Sequence, residues 1–138
     1  MRAVLDPNIL IAAILSPTGA PAQLVSRWLA GEFELVLSEQ LLGELGRALA
    51  YPKLRTRIPA ADAEQLVFRL RRLASVAPDP PTPPHRSSDP GDDYLLALAE
   101  STRALLVSGD QHLLQLKNYF PVRSARDLLE ALGPDEDS

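Results

Sequence analysis

The stretch "AVLDPN" (residues 3–8) is an apolar run that ends at a carboxylate. Ala3, Val4 and Leu5 read as a buried strand, since a short unbroken apolar run suits a sheet covered on both faces. Asp6 stands where that strand ends, and Pro7 behind it has no N–H for a sheet ladder. One acid at a strand tip means little by itself. Its weight depends on which other acids the fold would bring beside it.

Working outward, "FELVL" (33–37) reads as a second strand and "ALLVS" (104–108) as another, followed closely by Asp110. Between the first two, "SPTGAPAQ" (16–23) is turn chemistry. Leu24, Val25, Trp28 and Leu29 then fall at helical spacing, and Gly31 is placed to end that helix. Ser38 can cap the next helix, whose apolar stripe is Leu41, Leu42, Leu45 and Leu49. "YPKLRTRIP" (51–59) breaks the pattern, and a basic amphipathic helix follows through Leu66, Val67, Leu70 and Leu73. "APDPPTPPH" (77–85) reads as a stiff extended loop. Residues 90–102 read as helical, "QHLLQL" (111–116) as a short helix, and "PVRSARDLLEAL" (121–132) as a short strand with a closing helix.

Strands alternating with helices predict one α/β domain over residues 1–132, with a parallel sheet between helices. "GPDEDS" (133–138) reads as an acidic, disordered tail. In such sheets function collects at the carboxyl ends of the strands, which is where Asp6 sits.

A chain of 138 residues can bury a core without staples. The absence of cysteine excludes disulfides and thiolate metal sites. No apolar run is long enough to span a bilayer and no signal peptide opens the chain, so a cytoplasmic protein is expected. The net charge of -4 gives no global sign of nucleic acid. Its distribution does: from Arg47 to Arg72 seven basic residues face two acids, Asp62 and Glu64, a local balance of +5.

Three further acids or acid groups occupy places comparable with Asp6. Glu44 lies about 110° from the middle of its leucine stripe, on the flank of its helix. Asp89, Asp92 and Asp93 crowd a helix start, and Asp110 repeats the strand-then-acid arrangement. Singly, each has a bland reading: Asp89 is expected as an N-cap and Glu44 as a solvated helix residue. With Pro90 as the first helical residue, Asp92 lies roughly 40° from the centre of the buried side and Asp93 about 140° away. Asp92 is therefore expected to point inward and Asp93 to water.

Together the acids repel one another, and a hard divalent cation relieves that repulsion. Oxygen-only donors select Mg2+ or Mn2+. With only His85 and His112 and no cysteine, zinc fits poorly.

At these residues the sequence resembles the PIN-domain nucleases, and within them the VapC-like toxins of prokaryotic toxin–antitoxin pairs. "LDPN" (5–8), "LSEQLLGEL" (37–45), "DPGDDYLLALA" (89–99) and "LLVSGDQHLL" (105–114) are similar to the family's four acidic blocks, in order. "YPKLR" (51–55) resembles a subgroup of PIN proteins regarded as toxins. The resemblance implies a three-layer α/β/α sandwich with a central, mostly parallel sheet. It implies that Asp6, Glu44, Asp92 and Asp110 form the catalytic and metal-binding quartet, with Asn8 and Ser108 in support. Pro7 stands where the family usually has Thr, and Gly91 and His112 where Asp is common.

The implied activity is hydrolysis of RNA phosphodiesters with Mg2+ or Mn2+, by a toxin held in check by a cognate antitoxin and acting as a homodimer. Arg47, Lys53, Arg55, Arg57, Arg69, Arg71 and Arg72 are candidates for the basic rim that an RNA needs, or else a solvated helix face. Aromatics are sparse, so stacking on bases is expected to contribute little. Two other classes compete. One is a catalytically silent PIN-like scaffold that binds RNA or protein. The other is a phosphoryl-transfer fold such as a dehalogenase-like phosphatase or receiver domain, disfavoured because Asn8 stands where a second acid is wanted. Residues alone leave a DNA-directed nuclease of the same fold open.

Overall fold

The computed structural model of the chain describes residues 1–81 and 90–134. Among the described residues, five parallel strands form one sheet in the order β3-β2-β1-β4-β5. These are β1 (Arg2–Leu5), β2 (Glu34–Leu37), β3 (Ser75–Val76), β4 (Leu105–Val107) and β5 (Val122–Arg123). The central strand pairs Ala3 with Leu35 on one side and with Leu105 on the other. Ala3, Val4 and Leu5 have no exposed surface, as a central strand covered on both faces requires.

Helices α1 (Pro7–Leu15), α2 (Ala20–Leu29), α3 (Glu39–Leu49), α4 (Pro52–Arg55), α5 (Ala60–Leu73), α6 (Asp93–Thr102), α7 (Gln111–Leu114) and α8 (Ala125–Leu132) complete the α/β/α sandwich. α6 packs on β1 and β4, α1 packs on α2 and α3, and α2 on α8. Among the described residues no single helix is long and apolar enough to cross a membrane.

The first helix is an addition to the sequence reading. α1 starts directly after Asp6, with Pro7 at its first position, where a missing N–H costs nothing. Its sequence "PNILIAAIL" is apolar nearly all round, so it lacks the one-sided period that marks a surface helix. Gly31, with φ +83°, makes the turn after α2, and Leu29 is exposed rather than part of the buried stripe.

On α3 the expected stripe is buried, and Ser38 Oγ accepts from the Leu41 N–H at 3.2 Å. A second cap comes from outside: Asp79 Oδ2 accepts from the Gln40 N–H at 3.0 Å. The segment after α5 thus begins as a short strand, β3, and then ties itself to the start of α3. Of "APDPPTPPH", residues 82–85 lie outside the described residues, as do Asp89 with its expected capping role and residues 135–138 of the acidic tail.

The α2–α8 contact rests on a buried cation. Arg27, 6% exposed, pairs with Glu32 at 2.5 Å and donates to the carbonyl oxygen of Gly133 at 2.9 Å. It thereby satisfies an acceptor at the end of α8.

Candidate functional site

Asp6 caps α1 at the carboxyl edge of the sheet and is 5% exposed. Oδ1 accepts the backbone N–H of Asn8 at 2.9 Å, and Oδ2 accepts the hydroxyl of the buried Ser108 at 2.8 Å. The neighbouring strand adds a tie, since the Asp6 N–H donates to the carbonyl of Val107 at 3.0 Å. Ser108 also accepts the N–H of Asp110 at 3.0 Å, so its hydroxyl joins the loops after β1 and β4. Asp110, half-buried, caps α7 through the N–H of His112 at 2.8 Å. Asn8 contributes its backbone here, and its side chain is exposed.

Both strand-tip acids are therefore helix caps. A cap and a ligand are compatible roles, because a carboxylate offers about four lone-pair sites. Burial pushes the Asp6 carboxyl above its ordinary value, the bonds from Asn8 and Ser108 oppose this, and the charges of Glu44 and Asp110 push it further up. Glu44 and Asp110 thus both lie within electrostatic reach of Asp6.

Glu44 is half-buried on α3, and its Oε2 accepts the hydroxyl of Tyr94 from the first turn of α6. Tyr94 is held above the ordinary phenol value by burial, by that bond, and by the charges of Glu44, Asp6 and Asp92. Tyr94 escaped the sequence reading because only the fold brings α6 against α3. Its position directly after two aspartates was the one available signal.

The expected helical register at "DPGDD" is corrected. Pro90–Asp92 form a 3₁₀ turn and α6 starts at Asp93, so Asp92 flanks the helix instead of lying in its first turn. Asp93, expected to face water, is 2% exposed. Residues 93–99 of α6 are all buried, so this part of the helix has no water-facing side for Asp93 to occupy. Asp92 is half-buried, with Oδ2 shielded from solvent.

A cleft of about 420 Å3 opens beside Glu44, lined by Gln40, Glu44, Arg47 and Tyr51 on one side and by Gly91 and Tyr94 on the other. Of the seven candidate basic residues, Arg47 belongs to this lining. Arg71 pairs with Glu39 at 2.5 Å. Arg55 lines a separate hollow with Leu49, Ala63 and Val67. Lys53, Arg57, Arg69 and Arg72 are exposed on or beside α4 and α5.

Among the described residues no three His, Asp or Glu side chains converge into a ready-made metal cage. The donor set still fits Mg2+ or Mn2+. It is all carboxylate, the charges of Glu44 and Asp110 act on Asp6 and those of Glu44, Asp6 and Asp92 on Tyr94, and Mg2+ is commonly held by one or two carboxylates with waters and substrate phosphates.

The same fold occurs in PAE2754 from Pyrobaculum aerophilum, with a TM-score of 0.67 at 21% identity, covering 96% of this chain and 89% of that one. It occurs also in VapBC2 from Rickettsia felis, solved bound to a DNA fragment from their promoter. There the TM-score is 0.62 at 13% identity, over 90% of this chain and 98% of that one. In sequence, the uncharacterized protein MJ1680 of Methanocaldococcus jannaschii is 24% identical over 118 residues, 86% of this chain and 76% of that protein. Residues 2–112 match the PIN domain, a span that holds Asp6, Glu44, Asp92 and Asp110. The chain belongs to the PIN domain family.

Proposed function

We propose that this protein is a metal-dependent endoribonuclease, the toxin of a toxin–antitoxin pair. The observation that carries the reading is Asp6: a buried carboxylate at the sheet's carboxyl edge, fixed by Ser108 and opposed by the charges of Glu44 and Asp110. Such a group is costly unless a cation offsets it. Asp6, Glu44, Asp92 and Asp110 are the residues that would hold Mg2+ or Mn2+, and Asp93 joins them as a candidate by its burial. A divalent ion supplies charge neutralisation at the phosphate and a more acidic water.

The chain's own side chains then have distinct tasks. Ser108 holds Asp6 in one orientation while touching the Asp110 backbone. Tyr94 does the same for Glu44. Arg47, on the cleft wall, meets the negative backbone of an incoming RNA. A protein antitoxin as partner, a homodimeric assembly and a cytoplasmic setting belong to the same proposal, which the fold shared with VapBC2 accompanies.

The purified protein is expected to cut RNA with Mg2+ or Mn2+ and to stop with EDTA, and Asp6→Asn is expected to keep the fold and lose the cutting. Equal cleavage by Asp6→Asn would overturn the proposal at its centre. A second reading, a silent PIN-like scaffold, draws on the lack of three converging carboxylates among the described residues. A metal titration separates the two: the scaffold neither binds nor is stabilised by millimolar Mg2+.

A further inference from the structure

The cleft beside Glu44 changes character along its length. At its inner end Glu44 and Tyr94 face the acidic set. Toward solvent, the α3 wall continues through Arg47 to Tyr51, just past the end of the helix. Residues 40, 44, 47 and 51 recur at helical spacing, so one stripe presents an amide, a carboxylate, a guanidinium and a phenol in order. Its volume of about 420 Å3 lies within the range of ligand clefts.

Tyr51 is 66% exposed, a large aromatic surface left in water beside a cation. Pro52 follows it and opens α4, and the Tyr51 carbonyl accepts the N–H groups of Leu54 and Arg55, each at 3.0 Å. The backbone that carries the ring is therefore fixed. An exposed aromatic on a fixed backbone, next to an arginine, is suited to a base and its phosphate, because a ring stacks on any free base face while a guanidinium takes the phosphate. Bases in a duplex are already stacked and offer no such face.

We infer that this cleft is a nucleotide subsite for unpaired RNA, with Tyr51 as the stacking platform and Arg47 as the phosphate contact. The inference rests on the nuclease reading for its placement of the scissile phosphate at the acidic end. It also revises the expectation that stacking contributes little.

The test uses the full chain in EDTA, so that nothing is cut, with a ten-nucleotide single-stranded oligoribonucleotide and the same sequence as a duplex. Tyr51→Ala is expected to weaken single-strand binding on the order of tenfold and to leave duplex binding unchanged. Tyr51→Phe should bind as the parent does, since the ring is kept. Arg47→Gln should lower the slope of log affinity against log salt by about 0.7, the loss of one single-strand phosphate contact. Melting temperatures of all variants show whether the fold is intact.

If Tyr51→Ala binds single strands as well as the parent, the subsite is overturned, whatever the protein cuts. Equal losses in Tyr51→Ala and Tyr51→Phe would also overturn it, by replacing stacking with a hydroxyl contact. A parent indifferent to RNA at every salt concentration would overturn it. The nuclease reading fails separately: a parent with the Tyr51-dependent binding that cuts nothing with Mg2+ or Mn2+ keeps the subsite and loses the enzyme.

Discussion

Tyr94 donates its hydroxyl hydrogen to Oε2 of Glu44, joining the first turn of α6 to the middle of α3 across fifty residues of sequence. The phenol is 6% exposed and feels the charges of Glu44, Asp6 and Asp92. One neutral donor thus sits among acids from three parts of the chain, fixing one of them without adding a charge.

Tyr94→Phe removes that donor and little else. The variant is expected to lose about 1.5 kcal/mol, near the low end for a hydrogen bond to a charged group, because half-buried Glu44 can recover water. Urea melts of parent and variant measure this directly. Under the proposed function, RNA cleavage should fall as well, with the Mg2+-induced rise in melting temperature retained in reduced form. No change in the urea midpoint would mean that the bond contributes nothing in solution.

Asp6 sets a pH dependence. Its folded pKa lies above the unfolded reference of 3.8, chiefly through burial, so the folded state holds its proton longer than the unfolded state does. The contribution of Asp6 to stability is full below that reference and is lost as pH rises through the raised folded value. Asp6→Asn is permanently neutral and escapes the loss. It should therefore melt higher than the parent at pH 7, with the gap closing as the pH falls toward 3.8. Mg2+ should narrow the gap at neutral pH by stabilising the parent more than the variant. A gap that widens on acidification would reverse the sign of the argument.

Much of this architecture was legible because parallel strands at the centre of a sheet are continuous apolar runs, as in "AVL" and "LLV". The stripe of α3 and its Ser38 cap were legible for the same kind of reason, a period tied to a boundary. α1 was not, because a helix buried on most sides has no period to read. The pairing of Tyr94 with Glu44, and the pairing of Arg71 with Glu39, are tertiary, and spacing along the chain carries no sign of them. The exposed aromatic at Tyr51 was visible as a residue, but its place on the wall beside Glu44 required the turn into α4.

The basic stretch divides by what each side chain already touches. Arg71 is engaged by Glu39, so a phosphate must displace that carboxylate to use it. Arg69 and Arg72 are exposed on the same helix. Arg69→Gln with Arg72→Gln is expected to weaken RNA binding and flatten its salt dependence, and adding Arg71→Gln should change the slope by less than either neighbour does. Metal-induced shifts in melting should be unaffected. Salt slopes equal to the parent's in the double variant would make this side of α5 an ordinary solvated face.

Asp92 and Asp93 can be told apart because the 3₁₀ turn gives them different surroundings. Asp93 is in the first turn of α6 and 2% exposed, where a negative charge is favoured by the helix's positive pole. Replacing it by Ala removes a buried polar group from a packed helix and should cost about 1–3 kcal/mol. Asp92 is half-buried at the junction, with one oxygen shielded, and its charge reaches Tyr94. Asp92→Asn keeps the shape and removes the charge, so it should leave the fold intact and abolish cleavage. Asp93→Asn tests the corrected register: a buried acid in the first turn of α6 that takes part in the site should lower cleavage, whereas a side chain in water would not. Melting and cleavage, measured together on Asp92→Asn, Asp93→Asn and Asp93→Ala, decide it. Full activity and parental stability in both Asp93 variants would return Asp93 to the solvent side and Asp92 to sole charge of this corner.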